Sequence, residues 1–170
     1  MHLPSLQSMQ PKNREALSAI LLGGIIAATI DIGVASLING RSPIFIMQAI
    51  AGGLLGKATF NGGAGSAILG AVLQEFMGVL IAAIYVALAK TVLGLLRRWI
   101  LSGLSYGVII FFVMNYVVVP LSALRAKPHF RAGKFVEDMA AMLIFGLIVA
   151  FFARRLVNAP LAQNEAATPA

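Results

Sequence analysis

Apolar residues run along this chain in long, nearly unbroken blocks separated by short polar or basic joints, without the strict alternation of a half-buried strand. Four blocks are long enough to cross a hydrocarbon layer about 30 Å thick, which takes roughly 20 helical residues. They are Ala16 to Ile38, about Gly63 to Ala89, Ile100 to Leu121 and about Val136 to Ala153. Backbone groups in lipid have no water to bond, so each block is predicted to be a helix that satisfies its own N–H and C=O groups. Lys12 and Arg14 ahead of the first block, with Ala27 and Ala28 inside it, have the outline of a secretion signal. The apolar run continues well past those alanines, which predicts an uncleaved first helix.

The stretch between the first two blocks is more than a loop. Asn39-Gly40-Arg41-Ser42-Pro43 reads as a turn followed by a helix start, and Ile44 to Leu55 is then apolar apart from Gln48. A helix of about 43–56 is too short to span, so it is expected to lie in the interface or to re-enter from one side. Gly52-Gly53 and Gly62-Gly63 mark turns near its end. The predicted fold is therefore all-α: an integral membrane four-helix bundle with a short interfacial or re-entrant helix between spans one and two. A single transmembrane domain covers 16–155, between an N-terminal tail (1–15) and a flexible C-terminal tail (156–170) of Ala, Pro and polar residues. The two halves show no internal repeat.

Composition agrees with the pattern. Of 170 residues 59% are hydrophobic and 11% charged, against roughly 25% charged in a soluble domain, so neither a water-soluble globule nor a disordered chain fits. The absence of cysteine excludes disulfides, thiolate metal sites and a cysteine nucleophile. A net charge of +7 raises the question of nucleic acid, but the basic residues sit in short groups at the ends of apolar blocks, where they meet lipid headgroups. The bilayer is the expected partner, with no nucleic acid and no cofactor.

Four spans put Lys12, Arg14, Lys90, Arg97, Arg98, Arg154 and Arg155 on one side and Arg41, Lys57, Arg125, Lys127, Arg131 and Lys134 on the other. Seven against six favours cytoplasmic termini by a narrow margin. The Arg97-Arg98 pair beside Trp99, and the Arg154-Arg155 pair, add to it; a balance this close also leaves dual insertion open.

Small residues at spacings of four let helices approach closely in lipid. Gly23, Ala27, Asp31 and Ala35 form such a stripe on the first span. Gly63, Ala67, Ala71 and Glu75 form one on the second, beside Gly70, Gln74, Gly78 and Ala82. Gly103 and Gly107 lead to Phe111 and Asn115 on the third. Gly23, Gly70, Gly78, Gly103 and Gly107 are the expected packing positions. A carboxylate near the bilayer centre costs about 2.5 to 3.5 kcal/mol, so Asp31 and Glu75 are candidates for function. At about 1.5 Å per residue, Asp31 lies roughly 10 Å from the end of its helix and Asn115 roughly 9 Å from the same side, while Glu75 lies roughly 18 Å deep. Asp31 and Asn115 are therefore expected to touch, with Gln74 and Tyr106 the neutral groups nearest Glu75.

Two readings stay open: a neutral Glu75 and an Asp31 tethered to Asn115, Arg41 or Lys57 lock helices together, or the acids mark a proton or cation path. The candidate polar site is Asp31, Glu75, Asn115, Gln74, Arg41 and Gln48. Enzymatic chemistry has little support. His2 and His129 lie outside the spans, so neither a metal site nor a base for Ser66, Ser102 or Ser105 is at hand. Gly62, Gly63 and Gly65 lack the lysine of a phosphate loop. Arg125, Lys127, His129, Arg131 and Lys134 read first as a solvated basic loop and second as a headgroup site.

Asp31-Ile32-Gly33, Asn39-Gly40-Arg41-Ser42-Pro43, Gln48-Ala49-Ile50-Ala51, Gly53-Leu54-Leu55-Gly56, Gly62-Gly63, Tyr106-Gly107, Val119-Pro120-Leu121-Ser122-Ala123 and Ala153-Arg154-Arg155 together resemble a family of small bacterial inner-membrane proteins with four transmembrane helices. The resemblance covers about Ala16 to Arg155. It implies a four-helix protein of the bacterial inner membrane and brings no activity with it. The functional expectation is a small transporter-like or channel-like protein with a polar site around Asp31 and Asn115. The alternative is a structural or accessory subunit with no activity of its own, in a homo-oligomer or with another membrane protein.

Overall fold

The computed structural model describes residues 11–92, 94–124 and 132–157. The histidines and most of the basic loop after the third block, Arg125, Lys127 and Arg131 included, lie outside the described residues, as do most of both tails. The chain is all-helical, with no strand among the described residues. The helices are α1 (Pro11–Asn39), α2 (Pro43–Leu55), α3 (Gly63–Thr91), the single turn α4 (Gly94–Arg97), α5 (Trp99–Val113), α6 (Val119–Leu121) and α7 (Ala132–Val157). A 3-10 segment, Gly56–Asn61, follows α2, and a π segment, Met114–Val118, joins α5 to α6.

By length and apolarity alone, five stretches are able to cross a membrane, one more than the sequence pattern suggests. The additional stretch is Pro43–Asn61, counted because the 3-10 segment extends α2 to 19 residues. It does not run straight. Gly56, at φ +68°, holds a left-handed conformation that suits a residue without Cβ and reverses the chain. The 3-10 segment then packs back along α2: the Thr59 hydroxyl donates to the Gln48 carbonyl at 3.0 Å, and the Phe60 ring stacks on Phe45 at 5.2 Å. At the other end, Pro43 occupies the first turn and Ser42 Oγ accepts from the Phe45 N–H, the usual signals of a helix start.

α1, α3, α5 and α7 run antiparallel, up and down, with α1 against both α3 and α7, and α5 against α7. Glycines set the crossings. A Cβ on Gly78 would lie 2.6 Å from the Ala28 Cβ, and one on Gly24 would lie 2.7 Å from the Val79 Cα, so α1 and α3 touch backbone to backbone. Gly103, Gly107 and Gly146 do the same for α5 and α7: a Cβ on Gly103 would meet the Ala150 Cβ at 2.9 Å. Gly70 faces the Met47 carbonyl of α2, and Gly23 faces Phe152 more loosely at 3.1 Å.

The core is concentrated at one end of the bundle, where Ala16, Ala19, Ala82, Tyr85, Ala89, Leu96 and Ala153 are buried together. Here Tyr106 donates to the Ile81 carbonyl at 2.7 Å and packs edge-on against Tyr85, while the Tyr85 hydroxyl meets Ser102 Oγ at 2.7 Å. These contacts join α3 to α5 and close this end. Arg154 lies over the Trp99 ring, 5.6 Å from its centroid, which brings both arginine pairs to the closed end. Large apolar side chains such as Leu37, Ile68, Phe76 and Ile109 point outward, opposite to the arrangement that water favours.

Candidate functional site

Toward the far end α3 and α5 no longer touch as they do through Tyr85 and Tyr106, and the space beside them is a cavity of about 910 Å³ open to the surface. Its walls come from α2 (Phe45, Ile46, Ala49, Ile50), α3 (Leu73, Gln74, Met77) and the π and α6 segments (Met114, Val118, Leu121). Asn39, Arg41 and Ser122 add polar groups at its edge. The α2 wall is fastened on both sides. The Ala123 N–H donates to the Gly53 carbonyl at 2.8 Å, and Leu124 lies against Gly52. On α3, Gln48 Nε2 donates to the Gly63 carbonyl at 3.0 Å, and Ser66 Oγ donates to the Thr59 carbonyl at 2.7 Å.

The π segment has a local cause. Pro120 has no N–H to offer the Tyr116 carbonyl, so the α ladder is interrupted there. The preceding N–H, that of Val119, bonds the Met114 carbonyl, five residues back. Asn115 lies in this widened turn and donates to the Phe111 carbonyl at 3.0 Å. Such bulges recur at functional sites, and this one forms part of the cavity wall.

Two polar pairs bridge α1 and α3. Gln74 Nε2 donates to Asp31 Oδ2 at 2.9 Å, and Thr29 Oγ donates to Glu75 Oε1 at 3.0 Å. Gln74 also lines the cavity. Asp31 lies one and two helical turns before Ala35 and Asn39, which line it too, so Asp31 stands on their stripe and reaches the cavity through its bond to the lining Gln74 without lining it itself. Thr29 is exposed on the outer surface, while Glu75 Oε2 is buried with no hydrogen-bond partner among the described residues.

The candidate residues thus separate. Asp31 and Gln74 come together, and of the two Gln74 lines the cavity. The contact expected between Asp31 and Asn115 gives way to one between Asp31 and Gln74, because α3 is the neighbour of α1 and Asn115 turns back on its own helix. Glu75 bonds Thr29 rather than Gln74 or Tyr106, whose hydroxyl is taken by Ile81. Arg41 sits over the Phe45 ring at 5.1 Å, and Gln48 belongs to the clasp of the α2 hairpin. Thr29, Gly24 and Gly146 escaped sequence reading. Gly24 and Ala28, like Gly146 and Ala150, carry a spacing of four that is legible, whereas Thr29 gives no such signal.

The sole ion pair among the described residues is Lys134 Nζ to Asp138 at 3.1 Å, one turn apart on α7. No three His, Asp or Glu side chains converge on a possible metal position among them. Comparison with known protein families, curated proteins and solved structures gives no match in any of the three. The class is defined by architecture alone: a helical bundle whose long apolar helices have the dimensions of membrane spans.

Proposed function

We propose that this chain is a four-span integral protein of a bacterial inner membrane, with both termini cytoplasmic, that acts as a small transporter-like protein through the cavity between α2, α3 and the π segment. The four-span reading rests on the doubled-back course of Pro43–Asn61, in which the Phe45 and Phe60 rings stack, so that the segment enters and leaves on one side. The observation that carries the function is the Gln74–Asp31 pair: an acid about 12 Å from the end of its helix, bonded to a neutral amide that lines an open cavity. A carboxylate held at that depth is costly, and acids retained at such a cost mark solute or ion paths.

The reading is non-enzymatic. Ser66 and Ser102 both spend their hydroxyl protons on backbone carbonyls, at 2.7 and 2.8 Å, which leaves neither activated as a nucleophile. The scaffold reading has its own support, since Gln48, Thr59, Ser66 and Asn115 all bond helix backbone as packing locks do. Reconstituted vesicles separate the two. Uptake or leak of cations and small amines above empty vesicles, driven by an ion or pH gradient and lost in Asp31→Asn, is the expected result. No flux in wild-type vesicles across that panel overturns the transport reading in favour of the scaffold.

A further inference from the structure

The chemistry of the cavity selects among solutes, and the selection rests on the transport reading above. Its walls are apolar over most of their area, with Ile46, Ile50, Leu73 and Val118 among them. Its size falls within the range of about 300 to 1,000 Å³ that takes a drug-sized molecule. At the deep end, Gln74 lines the space and holds the Asp31 carboxylate.

Charge at that end is negative. Asp31 has a neutral partner in Gln74, and Asp138 of α7 is itself half of a neutral ion pair, so Asp31 is the acid there with no basic partner among the described residues. The nearby Lys134 is engaged by Asp138 at 3.1 Å. Arg41, which lines the cavity, is drawn over the Phe45 ring and lies past the end of α1, whose last residue Asn39 is roughly 12 Å of helix from Asp31. Two features argue against a bare metal ion. No cluster of three acidic or histidine side chains is present among the described residues, and one carboxylate with one amide is far short of the six to eight oxygens that replace the hydration shell of a hard divalent ion. An organic cation carries its charge on a weakly hydrated, partly apolar body. Apolar walls repay its transfer from water, and one carboxylate suffices for its charge. Met77 and Met114, both lining the cavity, are flexible and polarizable and adapt to bodies of different shape.

We propose that the cavity binds a monovalent lipophilic cation, with the charge against Asp31 in place of the Gln74 amide proton and the apolar body between α2 and the Met77 and Met114 side chains.

The probe is a pair of ions of nearly the same shape and opposite charge, tetraphenylphosphonium and tetraphenylborate, titrated onto the full chain in lipid nanodiscs at moderate ionic strength, with empty nanodiscs subtracted. The expected result is saturable binding of the cation with one site per chain and none of the anion. Binding weakens at least tenfold in Asp31→Asn and stays within about threefold of wild type in Asp31→Glu and Glu75→Gln. Ala49→Trp, which fills the cavity from the α2 wall without touching Asp31, weakens it at least tenfold as well, and so tests the site even where Asp31→Asn folds poorly. Equal binding of both ions, or cation binding indifferent to Asp31→Asn and Ala49→Trp, overturns the proposal. Tighter binding of the anion, lost in Arg41→Gln, overturns it in favour of an anion site at the edge. The transport reading fails separately: cation binding without flux sinks the carrier and leaves this site, whereas flux of cations or small amines with no tetraphenylphosphonium binding keeps the carrier and sinks this site.

Discussion

Gln74 reaches across from α3 to donate its amide proton to Asp31 on α1 at 2.9 Å, while Glu75, the next residue, accepts from Thr29 of the same helix. Consecutive positions on α3 therefore clasp α1 from two sides of one seam, between which Gly78 and Ala28 bring the helices into contact. One clasp faces the cavity and the other includes an exposed hydroxyl.

The cavity-side clasp predicts a pattern of stabilities. Gln74→Leu leaves the Asp31 carboxylate without its donor, and stranding a buried polar group costs about 1 to 3 kcal/mol. Removing both partners, in Gln74→Leu with Asp31→Leu, recovers most of that loss, because no unpaired group remains. Thr29→Val breaks the outer clasp and costs about 0.6 kcal/mol, the average for such bonds between membrane helices. Reversible unfolding in mixed micelles measures all of these. Equal losses for Gln74→Leu and the double variant contradict the pairing.

Depth along a helix was legible in the sequence, and helix neighbours were not. Shared depth and a small-residue stripe on each helix pair Asp31 with Asn115, yet the chain sets α3 beside Asp31, and Pro120 places Asn115 in a turn where its side chain bonds Phe111. Spacing of small residues identified Gly78, Gly103 and Gly107 as surfaces for close approach without naming what approaches: Ala28, Ala150 and Leu143. The doubled-back end of α2 was only half legible. Its apolar run is too short to span, but the 3-10 return depends on Gly56 in a left-handed conformation and on Phe60 meeting Phe45, which no local spacing encodes.

Glycine substitutions should sort by the space around them. Gly78→Leu drives a side chain into Ala28 and the Gly24 carbonyl, where even a Cβ would stand at 2.6 and 2.7 Å. Overpacking of this kind costs about 1 to 3 kcal/mol or more and pushes α1 from α3. Gly33→Ala meets nothing within 4 Å, and in a helix the added methyl stabilises by about 0.5 to 1 kcal/mol. Thermal unfolding of the two variants in one detergent tests the contrast, and a Gly33→Ala variant as damaged as Gly78→Leu refutes it.

The doubled-back course of α2 predicts a labelling result. The chain holds no cysteine, so single replacements report cleanly. Arg41→Cys and Asn61→Cys should react with an impermeant maleimide from the same side of intact membranes, opposite to Arg97→Cys, and a Phe45→Cys, Phe60→Cys pair should cross-link within one chain. Labelling of positions 41 and 61 from opposite sides makes Pro43–Asn61 a fifth span and removes the four-span reading.

Thr59 is 1% exposed, and its hydroxyl serves the Gln48 carbonyl while its own carbonyl receives Ser66. Thr59→Val keeps the shape and deletes the donor, while the Gln48 carbonyl keeps its helical bond within α2, so the cost is that of one hydrogen bond, about 0.5 to 1.5 kcal/mol. The cost should be local. The hairpin packs chiefly on α3 and lies apart from the Tyr85 and Tyr106 contacts that close the other end, so its loosening leaves the bundle assembled. Amide exchange should therefore quicken across residues 48–61 in Thr59→Val while the closed-end halves of α5 and α7 stay protected as in wild type. Exchange that rises equally in both regions means that the hairpin and the bundle unfold as one unit, and that the α2 wall of the cavity cannot open independently.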